Sequence, residues 1–403
     1  MTQAIPDAKP VASSPAIERK RAIRVIICFG IVSFFADMTY EGAHSIIGPF
    51  LEDLNATAFQ VGFVAGLGEM IAASLRFFSG RWVDRTRAYW TMAFIGYGMN
   101  LVVVPALAYA GNWQAAALLI VAERTGKGIR GPARDVLLSE ATQHVGHGWG
   151  FGLHAAMDQA GAVFGPVVMA LAVARSNHFN TAFLVLAIPA LGALMALAGA
   201  RILDPWKTRT AKPIATTVLP KVFWTYIIAA SVIALGFVDF PLLAYHFEKA
   251  HLFEKPAIPL LFAMAMGVNG IVALILGKLF DRFGLTVLVA GLVASAFALP
   301  LGFLGGRAAA VAGVALWAVG MGAQDASLRA GISQVVSMNK RGSAFGAFNA
   351  LYGVMWFAGS LVMGKLYDVN LVPALVGFGV VAQLVAAAMF LRLRAPLAGA
   401  RTT

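Results

Sequence analysis

Twelve stretches of this 403-residue chain are long and apolar enough to cross a lipid bilayer, and nothing else in the sequence limits its fold so tightly. A helix spanning the hydrocarbon core needs about 20 largely apolar residues. Such runs, bounded by charged or Pro/Gly-rich breaks, lie near 22–50, 57–80, 88–110, 112–138, 150–174, 180–202, 222–246, 258–280, 285–305, 308–331, 344–366 and 371–393. The fourth and tenth carry several polar residues in their second halves. Runs of about 10 alternating residues, the mark of a membrane barrel, do not appear. Composition agrees: 59% hydrophobic and 12% charged residues, against about 45–50% and about 25% in soluble domains, cannot cover a water-facing surface. The chain reads as an all-α integral membrane protein with twelve transmembrane helices. The first run is too long for a signal-peptide core and has no small-residue cleavage site behind it, so it is expected to remain as the first helix.

The net charge of +12 comes from 31 Lys+Arg against 19 Asp+Glu. Nucleic-acid binding would gather that charge on one solvated face; here it sits in short clusters between the apolar runs. An even number of spans puts both termini on one side. With residues 1–21 inside, 23 of the 31 basic residues are cytoplasmic, five (Arg175, Lys249, Lys255, Arg307, Lys365) are external, and Arg76, Arg124 and Lys127 lie within spans. The positive-inside rule then places both ends in the cytoplasm of a plasma (inner) membrane. The expected organisation is a tail at 1–21, a six-helix bundle at 22–203, a Pro-, Thr- and Lys-rich linker at 204–220, a second bundle at 221–394 and a tail at 395–403. The lone cysteine, Cys28, has no partner for a disulfide or a metal site. No metal or cofactor is expected.

The halves repeat. GRWVDR at Gly80–Arg85 returns as GKLFDR at Gly277–Arg282, 197 residues on. At an offset of 194, Gly126 and Gly128 meet Gly320 and Gly322, Phe151-Gly152 meets Phe345-Gly346, and Gly165 meets Gly359. At 202, Asp37 meets Asp239 and His44 meets His246. Two six-helix bundles in the same orientation are related by an axis along the membrane normal, with a central cavity between them.

These residues resemble the major facilitator superfamily. Gly80, Asp84 and Arg85, with Arg87 beyond, look like that family's loop signature between the second and third helices, and Gly277, Asp281 and Arg282 like its second copy. Arg124 with Gly128 resembles the fourth-helix motif, and Gly161-Ala162-Val163-Phe164-Gly165-Pro166 the antiporter signature of its exporter branches. The family pattern continues with glycines where this chain has Val167, Val168, Met169 and Ala170. The resemblance implies a secondary active transporter with a small-molecule substrate and protons as partners, working as a monomer in the bilayer. It also ties the fourth-helix arginine to proton transfer and makes the Gly161–Pro166 seam a barrier to proton leak.

Ionisable groups inside a membrane are costly and mark functional sites by default. In the first span Asp37 and Glu41 are four residues apart, and Tyr40 and His44 share their side of the helix. A carboxyl drawn out of water is suited to binding and releasing a proton; the rival reading is a structural hydrogen-bond cluster. In the fourth span Arg124 could pair with a first-span carboxylate, or statically with Glu123 or Asp158. Arg130, Arg134 and Asp135 read as a solvated basic end of that span. Glu69 and Asp158 are candidates for a cavity wall, Asp325 and Arg329 for mutual neutralisation at four-residue spacing, and His246 for the outer rim. Asp239 precedes Phe240-Pro241, a place for a broken helix or a simple kink. Gly80 should permit a tight helix end, and Asp84 could accept hydrogen bonds from a helix N-terminus, latching the halves together on the cytoplasmic side. The solvated basic turn is the plainer alternative.

Enzyme motifs fail. Gly126-Lys127-Gly128-Ile129-Arg130-Gly131 matches G-x-G-x-x-G but lies in an apolar span with no preceding strand. The favoured expectation is proton-coupled efflux of a small organic solute. Uptake of a nutrient or chelated metal by symport, and a non-transporting sensor or lipid-handling protein, remain open beside it.

Overall fold

The computed structural model describes residues 15–143, 145–204, 219–336 and 341–399; the expected linker lies almost wholly outside them, as do residues 1–14 of the tail. The described residues form helices joined by short turns, with no strand among them. Eleven spans are long and apolar enough to cross a membrane: Arg19–His44, Ala58–Thr86, Tyr89–Tyr109, Trp149–Ser176, Phe179–Leu203, Lys221–Lys249, Ala257–Phe283, Thr286–Leu304, Arg307–Val335, Ser343–Asp368 and Val372–Leu393. The remaining one, fourth in order, is the helix Trp113–Thr142. Its charged residues lower its apolarity, yet Glu123, Arg124 and Arg130 are buried, so its polar face points into the protein. Twelve spans thus form two six-helix bundles.

Local chemistry sets the helix boundaries. Thr57 caps span two in a reciprocal box with Gln60, and the Asn112 side chain accepts from Ala115 N at the start of span four. Gly80 and Gly277 do not end their helices, contrary to expectation. Span two continues to Thr86 and stops at Arg87, in a left-handed conformation with φ 54°, while span eight stops at Gly284 with φ 57°. One interior glycine costs a helix only about 1 kcal/mol, whereas a left-handed residue turns the chain out of it.

In the first half, span one packs on five and six, and span four on two and three. In the second, seven packs on eleven and twelve, and ten on eight and nine. The scheme is the same, shifted by six spans, and the halves meet along spans two with eleven and five with eight. Close glycine contacts fix the register. Gly126 meets Asn100 as Gly320 meets Ser295, Gly128 meets Ala72 as Gly322 meets Asn269, and Gly165 meets Met38 as Gly359 meets Leu235. All of these lie 194 to 197 residues apart. The pairing of Asp37 with Asp239 at 202 is therefore wrong: by packing, Met38 corresponds to Leu235, which puts Asp239 at the level of Gly42.

Both termini lead to one face, here the terminal face; the other is the distal face. One apolar cluster joins both halves on the distal side, through Phe50, Phe183, Phe240, Phe262 and Trp317. On the terminal side each half keeps its own core, around Phe29, Tyr97 and Leu137 in the first and Tyr226, Leu288 and Phe390 in the second. The molecule is sealed distally and divided at the terminal face.

Gly161 and Gly165 press span five against span one so closely that a Cβ at either would overlap the carbonyl oxygens of Phe34 and Met38. Small residues allow such backbone approach, and Pro166 follows inside the same helix. Gly161→Val is expected to destabilise the protein by about 1–3 kcal/mol through overpacking, seen as a lower melting temperature in detergent. Gly199→Ala, where the added methyl meets open space, should leave it unchanged.

Candidate functional site

A cavity of about 640 Å³ opens between the halves on the terminal face. Its acids are Asp37, Glu41, Asp84, Asp135 and Asp158, and its bases Arg76, Arg81, Lys127, Arg130, Arg134 and Arg329. The charged face of span four supplies much of this wall. Beyond the deep end lies Arg124, only 1% exposed.

A guanidinium carries five N–H donors and no acceptor, so a buried one needs several acceptors at once. Arg124 finds them for its two Nη atoms: Nη1 lies 3.1 Å from Glu69 Oε1, while Nε forms an ion pair with Glu123 Oε2 at 3.4 Å without a hydrogen bond. Nη1 also donates to the Tyr40 hydroxyl, and Nη2 lies 2.7 Å from His44 Nδ1, which must accept because arginine can only donate. Asn100 of span three donates to the Glu123 carboxylate and holds it in place. Gly68 makes the room: a Cβ there would come within 2.7 Å of Arg124 Cγ. The expected partner from span one is replaced by these two glutamates. Span one meets the arginine with Tyr40 and His44, whereas Asp37 and Glu41 face the cavity.

The Tyr40 ring carries two cations, with Lys127 Nζ 3.5 Å and the Arg124 guanidinium 4.5 Å from its centroid. Cation–π contact of this kind gains when water is excluded. Asp37 engages Arg130 loosely, at 3.8 Å, and Arg130 in turn lies 4.5 Å over the Tyr97 ring. Arg130 is thus buried rather than part of a solvated end; the cavity cuts into span four along its length. Among charges, Asp37 feels Asp158 most strongly, and Asp158 Oδ1 has no hydrogen-bond partner among the described residues. Arg134 pairs with Asp135 at 2.9 Å. Asp325 accepts from Asn269 Nδ2 at 3.4 Å and forms no close ion pair with Arg329, though the Arg329 charge still acts on it.

Span seven is broken, not merely kinked. Its segments Lys221–Gly236 and Phe240–Lys249 are separated by Phe237–Asp239. Trp317 Nε1 donates to Val238 O and Trp356 Nε1 to the Asp239 carboxylate, both at 2.8 Å. Span one is broken too, between His44 and Ile47. Its outer segment packs on that of span seven so tightly that a Cβ at Gly48 would strike Pro241. This packing buries His246, whose Nδ1 meets Tyr367 OH at 2.9 Å, so the rim position expected for it does not hold.

Asp84 lines the open cavity and, among the described residues, has no hydrogen bond or ion pair; Arg85, Asp281 and Arg282 are exposed. A carboxylate clamped to a helix N-terminus does exist, but on the distal face and from a residue the sequence did not single out. Asp368, at the end of span eleven, accepts from Ala58 N at 2.8 Å and Phe59 N at 2.9 Å, at the start of span two. Lys255 bridges to Asp53 at 3.1 Å, and Tyr245 OH donates to Ala56 O at 3.1 Å. Each of these contacts joins the two halves.

Residues 29–360 match the family model of the Major Facilitator Superfamily. An uncharacterised protein of Mycobacterium tuberculosis is 35% identical over 395 residues, 96% of each chain. A Methanocaldococcus jannaschii protein described as an uncharacterised MFS-type transporter is 25% identical over 361 residues, covering 86% of this chain and 89% of its own. Among solved structures, the nucleoside transporter NupG superposes with a TM-score of 0.72 at 16% identity, over 91% of this chain and 99% of its own. A bacterial homologue of the human lysosomal transporter Spinster, inward-facing and unoccupied, gives 0.69 at 12% identity, over 95% and 98%. With matched helix pairing in its halves, a cavity between them and a family model covering most of its length, this chain belongs to the major facilitator superfamily.

Proposed function

We propose that this protein is a proton-coupled secondary transporter that moves a small organic solute by alternating access, with the terminal face in the cytoplasm. The observation that carries this reading is the wall of the cavity at Asp37. Asp37 and Asp158 line the same wall and oppose each other, and Asp37 engages Arg130 only loosely, at 3.8 Å. Like charges at such a site oppose each other, so one proton settles the balance, and the open mouth lets it exchange with water. The distal seal and the open terminal mouth make this the inward-open state. In the outward-open state the loop residues Gly80, Asp84 and Arg85, with Gly277, Asp281 and Arg282 at the matching end of span eight, would close the mouth.

Efflux in exchange for protons is the favoured direction, supported by the Gly161–Pro166 seam against span one. Uptake by symport is supported by Val167, Val168, Met169 and Ala170, where the antiporter pattern has glycines. Proteoliposomes holding a pH-sensitive dye separate the two. Outward movement of a solute by exchange should carry protons into the lumen that the solute leaves, and symport should carry them out with it. Flux of no solute from a panel of nucleosides, dipeptides, organic acids and quaternary amines, with the pH gradient undisturbed, would defeat both and favour a sensor.

A further inference from the structure

The charges around the cavity do not balance, and the surplus lies where the halves face each other. Arg76 of span two and Arg329 of span ten come from opposite halves and both line the open cavity. Arg329 opposes the charge on Arg76, and the acids Glu69 and Asp135 offset part of that. Four other bases of the wall have contacts: Arg130 with Asp37, Arg134 with Asp135, Lys127 with the face of Tyr40 and Arg81 with the face of Phe77. Among the described residues neither Arg76 nor Arg329 has an ion pair or a side-chain hydrogen bond. Asp325, one helical turn from Arg329, is engaged by Asn269. On the same wall Glu41, Asp84 and Asp158 also lack an ion pair among the described residues.

Arg76 and Arg329 reach one cavity from opposite halves, so a negative group entering it is attracted to both. A guanidinium fork matches carboxylate and phosphate oxygens in a way a lysine point charge does not. The space, about 640 Å³, is within the range of small-molecule sites. We propose that Arg76 and Arg329 grip the anionic group of the transported solute, a carboxylate or a phosphate, between the two halves. The proposal rests on the transport reading above and names its substrate class. It also links occupancy to closure: an anion held from both sides binds more tightly when the halves draw together on the terminal face, and such differential affinity is what lets a ligand shift a conformational equilibrium.

Binding of succinate, glycerol 3-phosphate and inorganic phosphate to the purified full chain in detergent, with tetraethylammonium and glycerol as cationic and neutral controls, tests the assignment. At least one anion should raise the melting temperature in a saturable way while the controls do not; succinate against the two phosphates separates carboxylate from phosphate. Arg76→Gln and Arg329→Gln should each weaken that binding at least tenfold, and Arg329→Lys, which keeps the charge, by less. No anion binding by folded wild type, or undiminished binding by both glutamine variants, overturns the proposal. Counterflow of the same probes in proteoliposomes keeps the two readings apart. Exchange of tetraethylammonium or glycerol alone refutes the anion site but leaves transport standing. Arginine-dependent anion binding without exchange of any solute refutes transport but leaves the site.

Discussion

Replacing Arg124 with alanine is expected to abolish transport and to destabilise the fold by about 3–5 kcal/mol, the range for breaking a buried ion pair by removing one partner. The side chain is 1% exposed and ties together Glu69, Glu123, Tyr40 and His44. Without it, two acids remain near the mid-membrane end of the cavity with no fixed cation between them. Arg124→Lys keeps the charge but loses the fork, so it should fold better than the alanine variant and still fail in coupled transport. The decisive measurement is a double-mutant cycle with Glu69→Gln. If the network is held by charge, the double variant Arg124→Gln with Glu69→Gln should recover much of the lost melting temperature. Strictly additive losses would show that Arg124 acts by filling space.

The second large effect belongs to Asp37. Asp37→Asn keeps the volume and removes the charge that engages Arg130 at 3.8 Å. Transport driven by a pH gradient should fall more than tenfold, while exchange of solute at equal pH persists. Glu41→Gln, on the same wall but without an ion pair among the described residues, should have the smaller effect, and Asp158→Asn should resemble Asp37→Asn. Proton-driven flux at wild-type rates in both Asp37→Asn and Asp158→Asn would remove this pair from the mechanism. Glu69 would then be the next acid to test.

The spans and the two-fold plan were legible because hydropathy and repetition are properties of the line of residues itself. Even the charged fourth span could be placed, since its apolar first half and the alternation of sides demanded a helix there. What could not be read was which helix each polar side meets. A stripe such as Tyr40, Glu41 and His44 gives a direction but not an opposite number, so of the partners offered for Arg124 only Glu123 is found, and Glu69 was not among them. Gly68 gave no signal, because its value lies only in the Arg124 side chain that crosses it. Asp368 stands just beyond the eleventh apolar run, and nothing in the line of residues points from it to the Ala58 and Phe59 N–H groups it accepts from. Asp37 and Asp239 align at an offset of 202 in the sequence, but the register is set by glycine contacts 194 to 197 residues apart, which only the packing reveals. Arg130 was assigned to water because the line of residues does not reveal how deep a cavity will cut.

The break in span seven gives the molecule an optical marker of its own. Trp317 and Trp356 donate their indole N–H groups across the gap, to Val238 O and the Asp239 carboxylate. Any swing of Phe240–Lys249 against Lys221–Gly236 must alter the surroundings of both rings, and indole emission follows hydrogen bonding and hydration. Trp82, Trp149 and Trp224 are exposed at the periphery, where phenylalanine can replace them at little cost to packing. With Trp90, Trp113 and Trp206 replaced as well, the emission of Trp317 and Trp356 alone would time the distal gate in a single mixing experiment, with no dye attached.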